Sequence, residues 1–221
     1  MVSSGSSWST SDGQQMLWDA ERTPVTMIAY APFMSEATPD ASLAVNALTN
    51  QSTEENVKSS DFLLMKATVD PEQDLTADGK LKISLNHAMS KLIIKITVNG
   101  TTDASMSKLG DMAINGAVVK ATCDLSAAAP VVVPAADAVV ATVAPYKGTE
   151  SCECILPPQK IAEGFSVNFS YDGKLYIWTA KEAIELEKGV EHTLTLNVNT
   201  TVRLAAKMAR NWATGQLIDR N

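Results

Sequence analysis

Aromatic residues are scarce in this 221-residue chain, with four each of Phe, Tyr and Trp. A core of ordinary size must therefore rest on Val, Ile, Leu and Ala. Cysteine is scarcer still, limited to Cys123, Cys152 and Cys154. An odd count with no C-x-x-C spacing excludes a disulfide framework and a structural zinc site. Cys152 and Cys154 in a strand would share one face, where a bond between them would be strained, so buried free thiols are expected. No apolar run approaches the ~18 residues that span a bilayer. The opening Met1–Trp8 has neither a basic nor an apolar signal region, and no early cysteine offers a lipid attachment point. Basic charge is also short: 18 Lys+Arg against 25 Asp+Glu give a formal net charge of −7. That balance removes the main driving force for binding nucleic acid or an anionic membrane surface. The 45% hydrophobic fraction excludes wholesale disorder.

The machinery of catalysis is equally thin. His87 and His192 are the two histidines, and no G-x-S-x-G, H-E-x-x-H or phosphate-binding glycine loop is present. The acidic residues at Glu54-Glu55, Asp70-x-Glu72-x-Asp74 and Glu182-Glu185-Glu187 are scattered as a solvated surface would be. The Asp70 run lacks the glycine and distal glutamate of a calcium loop. The expectation is therefore no enzyme, no catalytic residue, no metal and no cofactor.

Period-two alternation dominates what is present, which means strands. In Leu81–Leu85 the apolar residues fall on odd numbers, and in Leu92–Val98 on even ones. One residue of parity is lost across Asn86–Lys91, as a bulge in one strand or a short turn between two would do. Phe165–Trp178 reads as a hairpin around Asp172-Gly173, a pair suited to a type I′ turn. That register sets Phe169 opposite Tyr176 and Val167 opposite Trp178, so Phe165, Val167, Phe169, Tyr176 and Trp178 share a face. An aromatic-rich face of this kind is core, with Tyr176 and Trp178 as the candidates for stacking on a sugar. Strands are also expected at Val25–Tyr30, Phe62–Val69, Ile184–Leu186, Leu194–Val198 and Val202–Leu204, the last extending towards Ala209. Asn115-Gly116 inside Met112–Val119 signals another turn.

Three stretches lack periodicity. Residues 1–22 are polar, with Trp8 and Trp18 as the only large anchors. Residues 35–60 read as a long loop with a short helix around Leu43–Leu48. In residues 126–138, Pro130 and Pro134 interrupt a run of small residues, as a linker would. The expected division is a first β-sandwich over 1–128, with an irregular arm at 1–24, and a second over 129–221.

Several segments together resemble the fimbrillin-like (Mfa-like) family of surface proteins from Bacteroides and related bacteria. Leu85-Asn86-His87-Ala88-Met89-Ser90-Lys91-Leu92 is similar to its F-x-H-A-L-S-K-L strand. Met27-Ile28-Ala29-Tyr30-Ala31-Pro32 resembles Y-A-Y-x-P, and Asp61-Phe62-Leu63-Leu64-Met65-Lys66-Ala67 resembles the D-L-L-x-A step after it. Leu156-Pro157-Pro158-Gln159 is similar to L-x-P-Q, and Asp172-Gly173-Lys174-Leu175-Tyr176 to the D-G-K-x-Y hairpin. Lys188-Gly189 through Leu196 follows x-G-x-x-Y-x-x-x-L with His192 at the aromatic position, and Asn211-Trp212 stands where many members have D-W.

The resemblance implies two tandem transthyretin-like antiparallel β-sandwich domains, leaving open whether the first keeps its N-terminal strand. It implies a cell-surface protein of the outer-membrane fimbrium: a stalk, tip or anchor subunit whose partners are other fimbrial subunits. Assembly would run through β-strand exchange, in which a donated strand supplies ladder hydrogen bonds and its side chains fill core pockets. The alternative is a surface adhesin that recognises a glycan or a host protein without polymerising. Membrane attachment would come only through a lipid anchor that this chain does not carry. Arg22, the sole arginine before residue 200, is the candidate for arginine-specific processing. His87 is expected as a core-edge residue hydrogen-bonded to backbone.

Overall fold

The computed structural model describes Trp18, residues 21–34, 42–100 and 102–198, and four strands nearer the ends through their backbone. In chain order, β1 (Val2–Ser4) and β2 (Ser7–Ser9) pair with each other. β3 (Val25–Ala31), β4 (Ser42–Ala44), α1 (Glu54–Ser60), β5 (Leu63–Val69) and β6 (Asn86–His87) follow. Then come the long β7 (Ser90–Val98), the short β8 (Thr102–Asp103) and the long β9 (Leu109–Val118). β10 (Ala121–Asp124), β11 (Val132–Pro134), β12 (Val140–Val143), β13 (Tyr146–Lys147), β14 (Cys152–Leu156) and β15 (Gln159–Ile161) lead to β16 (Ser166–Tyr171) and β17 (Lys174–Thr179). β18 (Ile184–Leu186), β19 (Val190–Asn197), β20 (Ala205–Asn211) and β21 (Leu217–Ile218) come last.

Two sheets hold most of the core, and the all-β expectation is met. One sheet runs β13-β14-β7-β19-β20-β21, with β8 on β7; the other runs β12-β9-β16-β17. The even residues Leu92, Ile94 and Ile96 of β7 turn inward, as their alternation requires. They join one buried cluster with Leu194 and Leu196 of β19, Ile114 of β9 and Val167 and Phe169 of β16. β7 and β19 run parallel, with Lys91 beside Glu191 and Thr97 beside Asn197, while the other named strand pairs are antiparallel. Smaller sheets, β3-β5-β6, β11-β10-β4 and β15-β18, flank these two.

The parity break at 86–91 is a change of sheet. β6 pairs with β5, and after Ala88-Met89 the chain enters β7, whose partners are β14 and β19. Leu81–Leu85 forms no strand, only a bridge from Leu81 to Leu75. Asn115-Gly116 is not a turn either. β9 runs through it, and the register against β12 shifts there because Gly116 is the extra residue of a bulge. Its φ is +98, and a Cβ would lie 3.2 Å from the Cα of buried Phe165. Gly116→Ala is therefore expected to cost about 2 kcal/mol through backbone strain and contact with Phe165, read as a lower thermal midpoint.

The segment expected as a loop with a helix at Leu43–Leu48 is extended. Leu43, Val45 and Ala47 are buried alternately, and the N–H groups of Val45 and Ala47 donate to the carbonyls of Ala121 and Val119. The helix comes later, at α1, where the Thr53 hydroxyl accepts the Asn56 N–H at 3.2 Å and so caps the first turn. Residues 126–138 are not a linker: Val132–Pro134 returns along β10, with Thr122 beside Val133. The Lys66 ammonium clamps the turn of that hairpin, donating to the carbonyls of Leu125 at 2.7 Å and Ala127 at 2.9 Å. The division expected at 128–129 falls in this turn, and both large sheets take strands from either side of it. Val202–Leu204 lies outside the described residues, and the neighbouring strand runs over Ala205–Asn211 instead.

Candidate functional site

The β16–β17 hairpin builds one side of the site. Asp172 and Gly173 take φ of +50 and +75, as a type I′ turn requires, and the register sets Phe169 opposite Tyr176 and Val167 opposite Trp178. The shared face is core, as expected. Trp178 stands edge-on to Phe165 at 6.2 Å, and Tyr176 stacks on Phe169 at 5.4 Å. Tyr176 is half-buried and Trp178 buried, so the outer face of β17 presents Leu175 and Ile177 in place of the two aromatics singled out from sequence. β17 is the last strand of its sheet.

Beside β17 a cleft of about 690 Å³ opens between the two sheets. Trp178, Ala180 and Ile184 wall it on one side, and Leu92, His192 and Leu194 on the other. His192 is buried, and its Nε2 accepts the Glu187 N–H at 3.0 Å, which places the ring proton on Nδ1. The cleft is thus a largely apolar trough along β19, the strand that β20 also borders, with Ala209 beside His192. An apolar trough alongside a sheet edge is suited to a β-strand, whose alternate side chains would enter it.

Among the described residues, no three His, Cys, Asp or Glu side chains cluster as a metal site would need. Cys123, Cys152 and Cys154 are free and buried, and burial raises all three thiols, Cys152 to about 11. They stay protonated and inert at neutral pH.

His87 bonds to a carboxylate: its Nδ1 lies 2.8 Å from Oδ2 of Asp61, the residue that ends α1. Arg22 is exposed, with φ of +51, and its guanidinium donates to the Pro71 carbonyl at 3.0 Å. The β1–β2 hairpin ahead of it pairs with no other described strand, so no strand of that segment lies along β17 or β19.

Sequence reasoning missed two side chains that fix the frame of the site. Gln51, fully buried, donates from Nε2 to the Ile155 carbonyl at 2.8 Å while its Oε1 accepts the Ile155 N–H at 2.8 Å. Gln159 does the same for Val118, accepting its N–H and donating to its carbonyl, both at 2.9 Å. Each amide replaces a missing strand partner. The L-P-P-Q motif contained the second of them, but nothing local marked the first.

The two large sheets and the core between them define a β-sandwich protein. The fimbrillin-like family model matches residues 1–211, and the chain belongs to that family. The structure resembles a protein from Bacteroides uniformis provisionally assigned to cell adhesion: TM-score 0.69, 17% identity, covering 91% of this chain and 78% of that one. A similarly assigned protein from Bacteroides ovatus gives TM-score 0.65 at 16% identity, covering 93% and 73%. The tip fimbrial protein Mfa3 from Porphyromonas gingivalis, truncated at its C terminus, gives TM-score 0.48 at 10% identity, covering 79% and 70%. No match is found among curated proteins. Membership of the fimbrillin-like family makes the chain a structural protein and not an enzyme. Among the described residues no helix is long and apolar enough to cross a membrane.

Proposed function

We propose that this chain is a fimbrial subunit that joins its neighbours by strand exchange along β19. The observation that carries this is the apolar cleft between β17 and β19 at the position β20 borders. β20 is a late strand whose pairing with β19 already shifts register between Thr193 and Thr195. In the exchanged assembly another subunit's β20 takes that place, with the same ladder and the same cleft, so the swap costs little beyond association. Partners are then other subunits of the fimbrium, and the setting is the cell surface. Arg22 is the candidate processing site, acting on the segment ahead of β3 and not on the cleft.

Strand-exchanged polymers dissociate slowly, so the full chain, run unboiled in SDS, is expected to give a ladder. Met208→Pro removes a β20 backbone donor opposite Thr193 and is expected to abolish the ladder while leaving the single-subunit band. A single species from the unaltered chain would overturn strand exchange and favour a non-polymerising adhesin. Screening against glycans, with Leu175 and Ile177 as the outer-face residues to vary, would then follow.

A further inference from the structure

Among the described residues, the β12-β9-β16-β17 sheet ends in two strands with no further partner, and both bear the apolar residues edges usually avoid. Val139 and Val140 are 71% and 68% exposed at one end, and Leu175 and Ile177 are 85% and 67% exposed at the other. Soluble proteins blunt such edges with lysine, proline or a covering element. Here no charge falls within Val140–Val143, and in β17 the one charge is Lys174 at its start. A bridge between Asn50 and Ala144 closes the β12 edge beyond Val143, which leaves Val140–Val143 free.

We infer that β12 of one copy pairs with β17 of the next, extending the sheet from subunit to subunit. Three features fit a second copy as the occupant. Four antiparallel strands put β12 and β17 in opposite directions, so copies set side by side without rotation continue the antiparallel order. The exposed residues share a face: Val143 is buried, so Val140 and Thr142 turn outward, just as Leu175 and Ile177 do while Trp178 is buried. Setting Val140 opposite Ile177 also sets Thr142 opposite Leu175, and it brings exposed Asp137 to the end of β17 beside exposed Lys181. Both halves of the contact lie on one molecule, and because the two edges differ the association is head-to-tail and open-ended.

The contact does not use β20, although Ile177 and Lys181 also line the cleft, so it is tested with exchange through β20 removed. It is also dissolved by SDS, whereas exchanged strands are not. The test is sedimentation velocity across a concentration series on the full chain carrying Met208→Pro, which removes exchange through β20, and on V140K and I177K in that background. Both substitutions are at exposed positions, and thermal unfolding checks that each variant keeps the fold of the M208P parent. The M208P parent is expected to grow beyond dimer with concentration, and each variant alone to associate at least about tenfold more weakly. Mixed in equal amounts, the two variants are expected to form a dimer and stop, since I177K still offers β12 and V140K still offers β17. A folded parent that stays monomeric at all concentrations overturns the proposal. So does V140K associating as the parent does, which would mean pairing through β17 alone.

Discussion

Gln51→Leu is expected to lower stability by about 3 kcal/mol, a large share of the ~5–15 kcal/mol of a typical domain. The side chain is fully buried, and its amide meets Ile155 with a donor and an acceptor bond while Nε2 also donates to the Leu48 carbonyl at 2.9 Å. Leucine fills a similar volume but leaves the Ile155 N–H and two carbonyls without partners in the interior. Each orphaned group costs roughly 1–3 kcal/mol, and some relaxation of the 48–51 segment offsets part of the sum. Gln51→Glu should do at least as much harm, because it presents an oxygen to the carbonyls of Leu48 and Ile155. Urea unfolding provides the measurement: a lower midpoint with an unchanged slope. A loss below about 1 kcal/mol would show that the Asn50–Ala144 bridge holds this segment without the amide.

Gln51 also shows where sequence legibility ended. The hairpin at 165–178 could be read to the residue, because turn chemistry and alternation are local and agreed with each other. Its register against β9, and the parallel meeting of β7 with β19, depend on residues about 50 and 100 positions apart, and no local pattern encodes such pairings. The parity break at 86–91 was visible as an anomaly, but a bulge and a change of sheet leave the same trace along one strand. Asn115-Gly116 failed for a related reason: positive φ serves a turn and a bulge equally well, and only the partner strand decides. Leu43, Val45 and Ala47 did alternate, yet apolar Ala44 and Leu48 between and beyond them masked the period. In the helix that was missed, Thr53 lay three residues ahead of Asn56, an available capping signal.

At the site, the aromatic face was legible and its role was not. Alternation places Tyr176 and Trp178 together but cannot say whether their face meets the core or a ligand. The structure answered that by burying Trp178 against Phe165 and half-burying Tyr176 against Phe169. The cleft itself was invisible from sequence, since Leu92, Trp178 and His192 come from three distant strands. Arg22 illustrates the converse limit. Its rarity drew attention, and the structure ties its side chain to Pro71, far from the cleft lining.

His87→Ala is expected to destabilise the protein by about 2 kcal/mol at pH 7 and by clearly less near pH 4. His87 Nδ1 lies 2.8 Å from Asp61 Oδ2, the two side chains are 26% and 14% exposed, and Asp61 Oδ1 is buried without a hydrogen bond. Burial raises the Asp61 carboxyl above its usual range, with His87 and then Lys91 drawing it partly back. A raised carboxyl in the fold means that the native state holds the proton more tightly than the unfolded chain. The group's contribution to stability is therefore greatest at low pH and falls as pH rises through the folded value. Removing the imidazole deletes the largest opposing effect, so the fall becomes steeper and the buried carboxylate is left poorly compensated at neutral pH. As the carboxyl takes up its proton towards low pH, it no longer demands a counter-charge, and the deficit shrinks. Adding Asp61→Asn to His87→Ala removes the charge itself and is expected to recover most of the loss at pH 7 while changing little at pH 4. Stability measured against pH for the wild type, both single variants and the double variant forms the cycle. A pH-independent deficit in His87→Ala would show that the imidazole acts by packing at the β6–β7 corner, and the Asp61 charge would then have no part in joining α1 to β6.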